Sequence, residues 1–228
     1  MRETMDTSGI DCLGLDRVLE RGTGEILFES SGALFIHDSV SGAFMLACED
    51  TEAGMALLDR NGAESFDLLM VSDHALGKAA FERYGFSGKL ECYQVAYYGE
   101  KPETNTELTV RTARMDDLTI LTENYDLLSP EELRMLIERQ SILMGYHDGE
   151  LVGFIGEHLE GSMGILYVFP EFRRRGFGAA LQTHMIAKTM ENGYIPFGQV
   201  EKDNAASLKM QEKIGMTRSD KLIVWMWK

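Results

Sequence analysis

The chain of 228 residues has little of what staples a small secreted fold: three cysteines and four prolines. Cys12, Cys48 and Cys92 are odd in number, far apart, and form no Cys-x-x-Cys pair. That argues against a disulfide framework and a cysteine zinc site, and it suits a reducing compartment. The five histidines lack metal-ligand spacing, so no metal is expected. Long apolar runs are missing as well. None approaches the roughly 18 residues that a spanning helix needs, so no membrane partner is expected. Positive charge is scarce: the formal net charge is −15, and the dense basic cluster is Arg173-Arg174-Arg175. Nucleic acid is therefore not an expected partner. Met1 to Ile10 is polar and lacks the apolar core of a secretory leader, which makes a cytoplasmic setting the expectation.

What the chain does have is enough apolar content, 44%, for a packed core, and room for one large or two small domains. Its most informative stretch begins with a short apolar strand, Gly164 to Phe169. A turn rich in arginine and glycine follows, Arg173-Arg174-Arg175-Gly176-Phe177-Gly178-Ala179, and a helical pattern opens at Gly178. Two glycines remove side chains where backbone must approach a ligand closely. The free N–H groups and dipole of a helix start favour negative charge, and the arginines add cationic donors. The local chemistry is that of a pyrophosphate cradle. It is not a P-loop, which needs Gly-Lys-Ser/Thr, nor the three-glycine dinucleotide fingerprint.

After this turn the apolar spacing of Leu181, Met185, Ile186 and Met190 predicts a helix, stopped by Asn192-Gly193. A strand is expected over Tyr194 to Val200. Asp203-Asn204 then caps a helix from Ala205 to Ile214, Gly215 ends it, and a strand runs from Lys221 to Trp227. Upstream, Leu108 to Arg111 reads as a strand, and Ser129-Pro130-Glu131-Glu132 is a capping box. Ser141 to Tyr146 and Leu151 to His158 read as a hairpin around His147-Asp148-Gly149.

Arg173-x-x-Gly176-x-Gly178 after a strand, followed by helix, strand, Asn-capped helix and strand, resembles the acyl-CoA half of the GCN5-related N-acetyltransferase superfamily. The resemblance covers about residues 107–228. It implies an α/β (α+β) fold, a mixed and mostly antiparallel sheet flanked by helices. It implies acetyl-CoA as co-substrate, with its pyrophosphate on Arg173, Arg174, Arg175, Gly176, Phe177, Gly178 and Ala179. The pantetheine arm would lie along the strand ending at Val168, with Asn204 near it. A backbone N–H in the Tyr167–Val168 region would be the oxyanion donor. The implied reaction is direct attack by a primary amine, carried by a small molecule or a peptide. Two family positions depart from the pattern. The base, eleven residues before Arg173, falls on Ser162, which leaves Glu157, His158 or Glu160 to act through a water. The acid tyrosine, seven residues after Asn204, is Gln211, with Tyr167 and Tyr194 as conceivable substitutes. These departures keep two alternatives open: an acyl-CoA-binding or sensing module without catalysis, and an acidic protein-interaction domain. Monomer and homodimer are both open.

The front of the chain echoes the back. Asn61-Gly62, Asp73, Glu82 and Gly85 match Asn192-Gly193, Asp203, Glu212 and Gly215 at a separation of about 130 residues, and each copy enters a closing strand. In place of the arginine turn the front has Glu49-Asp50-Thr51-Glu52-Ala53-Gly54, whose carboxylates would repel a pyrophosphate. The expected division is a degenerate half over 1–98, a polar linker over 99–107, and a complete domain over 108–228. A degenerate front half, and the text Gly161-Ser162-Met163 with Pro170-Glu171-Phe172-Arg173, resemble the glycine N-acyltransferase-like and FR47-like branch.

Overall fold

The computed structural model describes residues 4–228, so the opening of the polar stretch that starts at Met1 lies outside the described residues. The chain forms two compact units. The first runs up to Val95 and also takes in Gln199–Ala205 and Arg218–Lys228, while the second comprises Ala96–Gly198 and Ala206–Thr217. The units are thus discontinuous in sequence, unlike a single cut in the 99–107 linker.

In the first unit, α1 (Leu13–Glu20) leads into a meander of β1 (Gly24–Ser30), β2 (Ala33–Asp38) and β3 (Phe44–Cys48). Then come α2 (Thr51–Arg60), β4 (Leu68–Val71), α3 (His74–Tyr84) and β5 (Gly88–Ala96). Aspartates start both later helices: Asp50 accepts from the N–H of Ala53 at 2.8 Å, and Asp73 from that of Leu76 at 2.9 Å. Gly85 ends α3 at φ +66°, the left-handed conformation that glycine adopts without strain.

The sheet has seven strands in the order β1-β2-β3-β4-β11-β5-β10, where β10 is Phe197–Glu201 and β11 is Thr217–Trp227. The last strand of the chain therefore sits between two strands of its front part. It pairs antiparallel with β4 from Val224↔Val71 to Trp227↔Leu68. Alternation explains why it fits. Val224 and Met226 enter the core with Phe35, Leu46, Val71 and Leu76, while Ile223 and Trp225 enter the opposite one with Leu15, Val18, Ile36 and Met45.

The second unit begins with β6 (Thr109–Thr112), α4 (Leu118–Asn124) and α5 (Pro130–Glu138). Ser129 accepts from the N–H of Glu132 at 3.2 Å while its own N–H donates to Glu132 Oε2 at 2.9 Å, a reciprocal capping box. β7 (Ile142–His147) and β8 (Glu150–Gly156) follow, turning through Asp148 and Gly149 at φ +51° and +83°. Next are β9 (Tyr167–Val168) and α6 (Phe177–Glu191), and α7 (Ala205–Ile214) follows β10. The sheet β6-β7-β8-β9 is antiparallel throughout and covers a core of Leu121, Leu133, Leu136, Met144, Phe154 and Ile165.

Several expected boundaries shift, among them β11, which begins at Thr217 and not at Lys221, and three near the arginine and glycine turn. The strand expected over Gly164 to Phe169 is regular at Tyr167–Val168 alone. Gly164 and Ile165 both donate to Gly156 O, and Leu166 N–H turns back to Gly164 O, so the strand is bulged before it begins. β10 starts at Phe197, since Tyr194 N–H donates to Thr189 O at the helix end and Pro196 has no N–H to give. α6 starts one residue early, at Phe177, with Gly176 as its cap. No helix among the described residues is long and apolar enough to cross a membrane.

The two stretches share an order of elements. β1, β2, β3, α2, β4, α3, β5 runs parallel to β7, β8, β9, α6, β10, α7, β11.

Candidate active site

β9 is the edge of its sheet and is paired on one side, to β8. Its neighbour Gly153 must be glycine: a Cβ there would lie 2.2 Å from Tyr167 O. Phe169 N–H donates inward to Val152 O at 3.0 Å. Strand alternation then turns the N–H of Tyr167 inward too and leaves the N–H of Val168 directed away from β8. Val168 O accepts Arg173 Nε at 2.9 Å.

The turn from β9 into α6 holds its backbone open. A short 3₁₀ turn, Pro170–Phe172, is followed by Arg174 at φ +62° and Gly176 at φ +89°. The N–H groups of residues 176–179 find no acceptor among the described residues. They cluster at the positive end of a 15-residue helix. The arginines divide their duties. Arg173 lies over the Tyr167 ring at 5.6 Å, and Arg175 lies over Phe172 and Phe177 at 5.6 and 5.1 Å. Arg174 is exposed.

The two glycines differ in kind. Gly176 is needed for its left-handed φ. Gly178 has an ordinary φ, and a Cβ on it would meet Met210 Sδ, Val168 Cγ2 and Leu166 Cδ2 at 3.6, 3.7 and 4.0 Å, ordinary contacts. Nothing in the protein's own packing demands glycine there: a methyl group would fit between Met210, Val168 and Leu166. Gly54 on α2 differs: a Cβ there would lie 2.5 Å from Leu76 Cδ2. On the opposite flank of α6 a cavity of about 520 Å³ is lined by Gly176, Ala179, Ala180 and Thr183 and by residues 103–106.

The proposed base residues lie in one tight turn. His158 N–H donates to Ser162 O, and Gly161 N–H to His158 O, at 2.8 and 2.9 Å. Glu157 is buried and accepts the Thr189 hydroxyl at 2.7 Å. Ser162 is buried too and donates to Glu160 Oε1. The His158 ring packs on Gly164, where a Cβ would lie 2.6 Å from Nε2. Nearby, burial and then the charge of Glu160 push the Tyr125 hydroxyl up to about 12. Asn204, exposed ahead of α7, belongs to the first unit. Gln211 is buried in α7. The partners of Glu157 and Ser162 were invisible in the sequence, because Thr189 is 32 residues away and the Glu160 contact depends on the turn. No group of three or more His, Cys, Asp or Glu among the described residues is arranged to hold a metal ion.

Comparison with known proteins gives the family and the fold. A family model described as FR47-like protein matches residues 142–226. Acetyltransferase YE1169 of Yersinia enterocolitica is 30% identical over 120 residues, covering 48% of this chain and 85% of that protein. Among solved structures, a Drosophila protein superposes with a TM-score of 0.64 at 14% identity, over 97% of this chain and 91% of its own. A GCN5-related N-acetyltransferase from Kribbella flavida does so at 0.58 and 12% identity, over 98% and 96%. The chain belongs to the GCN5-related N-acetyltransferase superfamily, with an FR47-like C-terminal segment.

Proposed function

We propose that the protein transfers an acetyl group from acetyl-CoA to a primary amine. The observation that carries this reading is the start of α6, where the N–H groups of residues 176–179 have no acceptor among the described residues and where neither Gly176 nor Gly178 brings a side chain to the turn. Acetyl-CoA supplies an activated thioester. Residues 176–179 and the exposed guanidinium of Arg174 hold its pyrophosphate, and the open edge of β9 holds its pantetheine arm. The flanking cavity of about 520 Å³ gives room to the nucleotide end.

The N–H of Val168, directed off the sheet edge, is the donor to the thioester oxygen as charge develops there. The amine proton is taken up in the turn 157–162, with Glu157, His158 and Ser162 as the candidates and Glu160 behind Ser162. Gln211 replaces a proton-donating tyrosine, so the thiolate departs without a dedicated acid.

A thiol-release assay with a panel of amines tests the reading. Saturable CoA release that rises with pH as the acceptor deprotonates is expected. Glu157→Gln and His158→Ala each test the base, which contributes about 10²–10⁴-fold when a true proton acceptor is lost. An unchanged pH–rate profile in both removes these two residues from the role. CoA binding with no release from any amine favours the second reading, a binding module without catalysis, to which Ser162 and Gln211 already lend support. The front stretch, residues 1–98, is read as a degenerate copy of the back stretch, residues 108–228, on the shared order of elements and the carboxylates at the start of α2. The three free, dispersed cysteines fit a cytoplasmic setting.

A further inference from the structure

Inside the first unit, α2 borders an open cavity of about 230 Å³. The cavity uses the same helix positions as the one beside α6: the N-cap, the third residue after it and the seventh. On α6 these are Gly176, Ala179 and Thr183, and on α2 they are Asp50, Ala53 and Leu57. Such positions share one face of a helix. The same face of both helices therefore borders a hollow, but the chemistry that lines it differs.

The difference has a sign. Phe28, Ala33 and Leu57 give the α2 cavity an apolar wall, and Phe28 is 37% exposed. Glu49 and Asp50 add two carboxylates at the helix start. Glu49 is exposed and forms no ion pair among the described residues. Its carboxylate lies by the β1–β2 turn, since a Cβ on Gly32 would be 3.9 Å from Glu49 Oε2. The Cys48 thiol, also in the wall, donates to Asp50 O at 3.2 Å. Arg60 lines the cavity too, at the other end of α2. That is about 15 Å of helix from Asp50, and Arg60 Nε donates to its own helix, at Ala56 O, at 3.2 Å. Two carboxylates beside an apolar wall complement a cation with a hydrocarbon body. A phenyl ring adds attraction for such a cation, and a net charge of −15 draws cations to the molecule.

We propose that this cavity binds a small organic ammonium ion, with its hydrocarbon chain on Phe28, Ala33 and Leu57 and its charged head at Glu49 and Asp50. The volume lies below the roughly 300–1,000 Å³ of drug-sized sites, so the ligand is small. The site is built from residues of the first unit alone and does not rest on the acyl-CoA reading. The carboxylates that turn a pyrophosphate away from α2 are the groups that hold the cation.

NMR titration of the full chain with hexylammonium, hexanol and hexanoate tests the proposal, because the three share a hydrocarbon and differ in charge. Hexylammonium is expected to shift the backbone amides of residues 32–33 and 49–57 with a Kd of about 1 mM. Hexanol should bind at least about fivefold more weakly, and hexanoate more weakly still. Glu49→Gln, at an exposed position, should weaken hexylammonium about threefold and leave hexanol unchanged. Ala53→Phe sets a ring in the cavity and should weaken hexylammonium and hexanol alike. The Tm of both variants is followed, and Glu49→Gln decides alone if Ala53→Phe does not fold. Equal affinity for hexylammonium and hexanol overturns the proposal, and so does tighter binding of hexanoate, which would hand the cavity to Arg60. No shift of these amides at roughly ten times that concentration, or shifts that a folded Ala53→Phe leaves in place, also overturn it. CoA titration of Glu49→Gln should match wild type, so a failure of the acyl-CoA reading shows in wild type and a failure of this site does not.

Discussion

At Gly178 one hydrogen atom separates two different outcomes. A methyl group there would make contacts of 3.6 Å and longer, so Gly178→Ala should fold with little change in Tm. Gly178→Asp would set a carboxylate against the pyrophosphate and should abolish CoA binding in a calorimetric titration, with Tm near that of wild type. Undiminished affinity in the aspartate variant would sink the cradle. Gly153 is the opposite case. Its missing Cβ would lie 2.2 Å from a backbone oxygen, and backbone gives way less readily than a side chain. Gly153→Ala should cost about 1–3 kcal/mol of stability in chemical denaturation. The arginine and glycine turn was legible because helix-start chemistry is local. The surroundings of Glu157 and Ser162 were not, since Thr189 and Glu160 assemble them through tertiary packing.

Among the elements, β5 carries a charge cluster of its own. Glu91 accepts from Lys202, from Lys89 at 2.9 Å, and pairs with His74 at 3.1 Å. Hydrogen bonds from Lys202, then Lys89 and His74, lower its carboxyl from 4.5 to about 2. A depressed carboxyl stabilises the fold above its ordinary value, and that contribution is lost as pH falls from about 4.5 towards about 2. Glu91→Gln should therefore flatten the dependence of Tm on pH across that window, while an unchanged slope would show that the cluster contributes nothing. Helices and their caps were readable throughout, because Asp50, Asp73 and Ser129 act within one turn of themselves. Strands were harder to read. Two N–H groups converging on Gly156 O shorten β9, and no periodicity in residues 164–169 announces that bulge.

Taken as a whole, the chain is folded out of its written order. Alternating apolar residues marked β11 as a strand, yet alternation does not name a partner, and its place between β4 and β5 had no local signal. Removing residues 218–228 should expose the core around Leu46, Val71 and Leu76 and make the first unit a rapid substrate in limited proteolysis. Survival of the front sheet in that variant would mean that β4 and β5 can pair without β11. The same insertion sets a schedule for biosynthesis. A sheet begun by residues 24–48 stays incomplete until residues 218–228 have been made, so the earliest part of the chain must wait for the latest. During that interval β4 and β5 lack the strand that separates them, and such a half-built sheet is what chaperones shield from pairing with its neighbours.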